Sequence, residues 1–218
     1  MRLAWLALPL LGCAGTPAAT PDAAPGLGRS TGTAVSASAA GDERALAMAR
    51  EGRLAEARSL LTRAVGRGDL SPLRTQSAMA RLDLIGGHLL RAEALAQLAT
   101  GIDQVSAAPV AAEVALARGD PGAALQTLNQ LEPSERAQPD VALLRAKALA
   151  YGGELEAAAE VLGRLSPSAS KGPEAQLLSG LVKLALGDLQ GGRRSLAAAR
   201  DAGHRGAARA LAALEAAP

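Results

Sequence analysis

Gly52-Arg53-Leu54-Ala55-Glu56-Ala57, Gly119-Asp120-Pro121-Gly122-Ala123-Ala124 and Gly153-Glu154-Leu155-Glu156-Ala157-Ala158 follow one scheme: a glycine, a short link, and an alanine five residues on. Gly87 and Gly187 open two looser copies that end at Ala92 and Gly192. The five glycines follow one another at spacings of 35, 32, 34 and 34 residues, and each closes one apolar helical stretch just before another begins. A period near 34 with this punctuation predicts stacked helix pairs, because a single pair cannot bury its apolar face without a neighbour.

Working outward from each glycine, the residue seven places before it is Ala45, Ala80, Ala112, Ala146 or Gly180, small in every copy. Together with the small residue five places after, this lets two antiparallel helices approach closely. The second helix of each pair continues with Leu61 and Ala64, Ala96 and Ala99, Leu128 and Leu131, Leu162 and Leu165, and Leu196 and Ala199. These complete an i, i+4, i+7 stripe, the pattern of an amphipathic helix. Pro72, Pro109, Pro133, Pro139, Pro167 and Pro173 are expected between pairs or in a first helical turn, and Asp120-Pro121 reads as a cap followed by an N1 proline. After the fifth pair, Gly203-His204-Arg205-Gly206 makes a turn, and 207–216 reads as a capping helix that covers the last apolar face with Leu211 and Leu214.

Over about residues 42–200 this constellation resembles the tetratricopeptide repeat. That pattern has small residues at positions eight and twenty, glycine at fifteen and apolar residues at twenty-four and twenty-seven. Departures are visible: Asp83 and Lys183 occupy two of the eleventh positions, and Gly192 stands where an alanine is usual. The resemblance implies an all-α, right-handed superhelical solenoid of about five helix pairs plus a C-terminal capping helix. It also implies a partner-binding concave face formed by the first helix of each pair. Transferred residue by residue, that face includes Arg50, Arg81, Leu84, Leu116, Leu143, Lys147, Tyr151, Leu181 and Leu184. Such a groove suits a protein partner, either an extended peptide or an amphipathic helix with some acidic character. Packing between repeats remains the alternative role for the leucines. Tyr151, the single tyrosine of the chain, is the expected anchor.

The amino terminus carries a different signal. Met1-Arg2 precedes an apolar run of about nine residues, far short of the ~20 that span a bilayer. Leu10-Leu11-Gly12-Cys13 resembles the bacterial lipobox, which implies a signal peptide over 1–12, a lipidated Cys13 and a membrane anchor. Ala14 after the cysteine implies the outer membrane, with the chain facing the periplasm. A secretory leader cleaved later, near Ala18, or an apolar start without export are the alternatives. Beyond Cys13, small residues and prolines dominate as far as Gly41, so 13–41 is expected to be a flexible tether and 42–218 the repeat domain.

Composition narrows the function. The formal charge is +2, there is no Phe, and no basic cluster interleaves with aromatics, so nucleic acid is not an expected partner. One cysteine excludes an internal disulfide, and two histidines, His88 and His204, lie in separate turns, so no metal or other cofactor is expected. Gly86-Gly87 and Gly191-Gly192 lack the Lys-Ser/Thr that grips phosphate. Glu132/Glu135 and Glu154/Glu156 read as residues of helix starts, not as an acid and base pair. A non-enzymatic scaffold follows, whose lipid anchor and solenoid together look like the pilotins and assembly lipoproteins of type IV and tight-adherence (Flp) pili. A regulator of a peptidoglycan-processing enzyme, or a soluble periplasmic adaptor if Cys13 is unmodified, are the alternatives.

Overall fold

The computed structural model describes residues 34–216, with thirteen helices and no strand among the described residues. Five antiparallel pairs follow one another: α1 (Ala34–Arg50) with α2 (Leu54–Gly66), α3 (Pro72–Ile85) with α4 (Leu89–Ile102), α5 (Gln104–Ala117) with α6 (Pro121–Asn129), α8 (Pro139–Tyr151) with α9 (Leu155–Gly163), and α11 (Pro173–Ala185) with α12 (Leu189–Asp201). One-turn helices α7 (Pro133–Arg136) and α10 (Pro167–Ser170) link the later pairs, and α13 (Arg205–Ala216) follows the last. The helices form two compact units, residues 34–103 (α1–α4) and 104–216 (α5–α13).

One device turns every corner. Gly52, Gly87, Gly119, Gly153 and Gly187 all have φ between 76° and 91°, a left-handed conformation that a Cβ would oppose by ~1–2 kcal/mol. At Gly153 the glycine N–H donates to the Ala150 carbonyl (3.2 Å) and the next N–H, of Glu154, donates to Leu149 (2.9 Å), which satisfies the last carbonyls of α8. The same two bonds recur at Gly52, Gly87, Gly119 and Gly187. Helix starts are capped by Asp120, whose carboxylate accepts from the Ala123 N–H (2.9 Å), and by Asp188, which accepts from Gly191 (2.8 Å). Glu135 reaches back to accept from the Glu132 N–H (2.9 Å), so that pair of acids stabilises the start of α7.

Within a pair, the small residues meet. Ala45, Ala57, Ala80, Ala92, Ala112, Ala124, Ala146 and Ala158 are all fully buried. In the fifth pair both partners are glycine, and a Cβ on Gly192 would stand 2.5 Å from Leu184 Cγ and 3.0 Å from the Gly180 carbonyl oxygen. Glycine at both positions lets α11 and α12 cross closely enough for Leu184 and Leu196 to fill the space above and below.

Within each unit, the first helix of a later pair lies against both helices of the pair before it, as α3 does on α1 and α2, α8 on α5 and α6, and α11 on α8 and α9. Leu61 and Leu82 are core residues of unit 34–103, as are Leu128, Leu162 and Leu196 of unit 104–216. Leu211 and Leu214 of α13 pack on the cluster formed by Leu177, Leu196, Ala199 and Ala207, as expected of a cap.

Two local expectations are corrected. Pro109 stands inside α5, beyond its first turn. Proline there has no N–H to donate to the helix ladder, and its place near the start of α5 keeps the loss to a single bond. Helix α1 begins at Ala34, inside the stretch read as a tether, because the alanine-rich run 34–40 has high helix propensity. The leader 1–12, Cys13 and the tether as far as residue 33 lie outside the described residues.

Candidate functional site

The residues expected to line a partner-binding face divide between the two units. In unit 34–103, Arg50 closes α1 and is exposed, while Arg81 and Leu84 lie half-buried on α3. Two ion pairs tie the neighbouring first helix and second helix to α3. Asp42 of α1 accepts from Arg74 through Nε at 3.1 Å and through one terminal guanidinium nitrogen at 2.8 Å. Arg58 of α2 pairs with Asp83, whose other oxygen lies 3.4 Å from Arg91 Nε on α4.

Asp83 explains one of the departures from the repeat pattern. Its side chain is 1% exposed, and the two arginines supply the charge that makes its burial tolerable. In the fourth pair the equivalent residues are apolar: Leu149 stands in the place of Asp83, and Leu125 of the preceding second helix packs on the same cluster as Leu149, in the place of Arg58. Lys183, the second departure, donates from Nζ to Ser195 Oγ at 3.2 Å across the fifth pair. Both polar substitutions are therefore matched by polar partners on facing helices, a pairing that single positions in the sequence did not reveal.

In unit 104–216, α8 neighbours α5 on one side and α11 on the other. Lys147 and Tyr151 lie one turn apart on α8, with the ammonium 5.9 Å from the ring centroid. A cation over an aromatic face at this distance is worth ~0.5–1 kcal/mol when exposed and more when a partner excludes water. Tyr151 is 41% exposed, and Leu143, two turns before it on the same helix, is half-buried. Leu181 and Leu184 pack on the fifth-pair core, with Leu184 over Gly192. Leu116 is 6% exposed and belongs to the core of the third and fourth pairs, so a partner would not reach its side chain. The structure thus brings Leu143, Lys147 and Tyr151 together on one helix, and it assigns Leu116, Leu181 and Leu184 wholly or partly to packing.

Other features were not anticipated. An open cleft of about 360 Å³ lies between α1 and α2, lined by Met48, Ala55 and Leu60 with Arg44, Glu56, Ser59 and Arg63 around them. The Glu56 carboxylate is held below its ordinary pKa by the Arg53 hydrogen bond (3.0 Å), and the same bond raises the guanidinium. Leu90, Leu98 and Ile102 of α4 project into solvent. Among the described residues, no group of three or more His, Cys, Asp or Glu could hold a metal ion, and no helix is long and apolar enough to cross a membrane.

A crystal structure of a thermophilic TPR protein from Thermus thermophilus aligns with TM-score 0.59 over 73% of this chain and 90% of its own, at 20% identity. The chain has a tetratricopeptide-like repeat fold. Nearly identical TPR-like repeats of kinesin-light-chain type from Podosopora anserina align at TM-score 0.49 over 76% of this chain and 94% of theirs, also at 20% identity. No family model and no curated protein matches the sequence.

Proposed function

We propose that this chain is a protein-binding scaffold whose partner docks on the first-helix face of unit 104–216, anchored by Tyr151 and Lys147. The observation that carries this reading is the half-exposed ring of Tyr151 with the Lys147 ammonium beside it, on a helix whose Ala146, Ala148, Leu149 and Ala150 are buried. An amphipathic ring that is already ordered contributes contact area at small entropic cost, and the ammonium beside it favours a partner with acidic character. Cys13 takes a lipid anchor in this proposal, and the chain faces the periplasm from the outer membrane. Its support is the short apolar run behind Arg2 and the Leu10-Leu11-Gly12-Cys13 motif. The scaffold then helps assemble an envelope machine such as a type IV or tight-adherence (Flp) pilus or its secretin.

Affinity capture from detergent-solubilised envelopes tests the scaffold. Tyr151→Ala with Lys147→Glu is expected to weaken capture at least ~30-fold while far-UV circular dichroism and melting stay unchanged. Unaltered capture places the interface elsewhere. Recovery of amidases or peptidoglycan synthases, with no secretin or pilus component, replaces the assembly role with an enzyme-regulating one. Mass spectrometry of the native amino terminus tests the anchor, and an unmodified Cys13 in the soluble fraction overturns it.

A further inference from the structure

We propose that His204 makes α13 a proton-sensitive cap, seated on the apolar end of the fifth pair while the imidazole is neutral and loosened when it is protonated. This goes beyond the partner face on α8 and is independent of it.

The start of α13 carries the inference. Side-chain oxygens cap the starts of α3, α6, α10 and α12, from Ser71, Asp120, Ser166 and Asp188. Such oxygens go on accepting a backbone N–H as pH falls, until the carboxylates themselves are protonated. Helix α13 uses a nitrogen instead. The Gly206 N–H donates to His204 Nδ1 at 3.1 Å, and the His204 carbonyl accepts from the Ala207 N–H at 3.0 Å, so His204 stands where those serines and aspartates stand. Gly206 leaves room for the ring, since a Cβ there would lie 3.0 Å from His204 Cε1, 3.2 Å from Nδ1 and 3.7 Å from Leu177 Cδ2. His88, in the corresponding place before α4, makes no such bond.

Protonation reverses this arrangement. Nδ1 accepts only while its lone pair is free, whereas an imidazolium donates from both nitrogens and would set one N–H against another. It also places positive charge at a helix N-terminus, where the macrodipole disfavours it. The charged neighbours act in the same direction. Arg205 and Arg209 are exposed on α13, and Arg200 closes α12 with its guanidinium on Asp201 at 2.8 Å. From α11 comes apolar Leu177, with Glu174 exposed one turn before it. Three arginines thus stand against two carboxylates, one of them already engaged. Histidine changes charge between pH ~5 and ~8, so the cap is complete at the upper end of that window and lost toward the lower.

The hold of α13 on its neighbours depends on this first turn. Ala207 is its one buried residue, and half-buried Leu211 and Leu214 complete its contact with the cluster of Leu177, Leu196 and Ala199. Loosening the turn that carries Ala207 therefore opens the cover of that cluster, to which Leu181 and Leu184 also belong.

Hydrogen exchange of the full chain, with Cys13→Ser to remove the thiol, tests this at about pH 7.5 and about pH 5.0 after correction for intrinsic exchange rates. Amides from Ala207 to Leu211 should lose protection ~10-fold at the lower pH, the loss of a side-chain cap and the gain of a cation at the helix start combined, while α8 and α9 keep theirs. His204→Asn, whose amide oxygen caps without titrating, should protect α13 equally at both pH values. His88→Asn should behave as the parent does. The comparison within the parent needs no variant to fold. Equal protection of α13 in the parent at both pH values, a pH dependence that survives His204→Asn, or one that His88→Asn removes would each overturn the proposal.

Discussion

Removing Arg58 tests how the first two helix pairs are joined. Arg58→Ala leaves the Asp83 carboxylate buried with Arg91 alone, at 3.4 Å from Nε. Losing a hydrogen bond to a charged group costs ~1.5–3 kcal/mol, and stripping a buried ion of its only partner costs ~3–5 kcal/mol. Arg91 retains part of the attraction, on the order of 5 kcal/mol gross at an effective dielectric of ~20, before desolvation is counted. The side chain of Arg58 is also 38% exposed, which screens its share. Together these place the cost of Arg58→Ala at about 2 kcal/mol. Arg58→Leu with Asp83→Leu should behave differently, because it recreates the Leu125 and Leu149 arrangement of the fourth pair and removes both charges at once. Replacing a buried pair by apolar residues of similar volume is often neutral or stabilising, so the double variant should lie within ~1 kcal/mol of the parent or above it. Urea unfolding followed at 222 nm, with hydrogen exchange of α2–α4 to separate the units, measures both. A single variant that costs less than ~0.5 kcal/mol, or a double variant as unstable as the single, refutes the account of Asp83 as a buried ion held by its neighbours.

Gly192→Ala should destabilise by ~1–3 kcal/mol, since the close approach to Leu184 and to the Gly180 carbonyl oxygen outweighs the ~1 kcal/mol gained in helix propensity; thermal melting of the variant against the parent decides. Gly153→Ala, at φ 85°, should cost ~1–2 kcal/mol, whereas the same change at Gly163, in a helix with open space around it, should be neutral or stabilising in the same urea assay. Asp120→Ala should cost ~1 kcal/mol through loss of the α6 cap, visible as faster hydrogen exchange at the Ala123 amide.

Much of this architecture was legible one residue at a time. The corner glycines, the small residues on either side of them and the capping Asp120-Pro121 each act within a turn or two of their own position, so their spacing in the chain fixed helix, corner and helix. Alanine and leucine at i, i+4 and i+7 marked the buried side of each second helix for the same local reason. Candidate site residues were legible only as positions on a face. Tyr151 and Lys147 fell together because they are four residues apart on one helix. Whether Leu116 lines a surface or fills a core depends on which helices lie over it, and its own segment does not say. The same holds for Asp83 and Lys183, which look like defects until Arg58 and Ser195 arrive from other helices.

Sequence alone determined the helix pairs, their period and their corners, because backbone conformation and helix periodicity answer to neighbours within a few residues. Only tertiary structure decided which polar residues are partnered in the interior, which leucines belong to the core, and that α4 keeps an apolar face in solvent. Burial and ion pairing are sums over chain segments brought together by folding, and no single helix contains the terms of that sum.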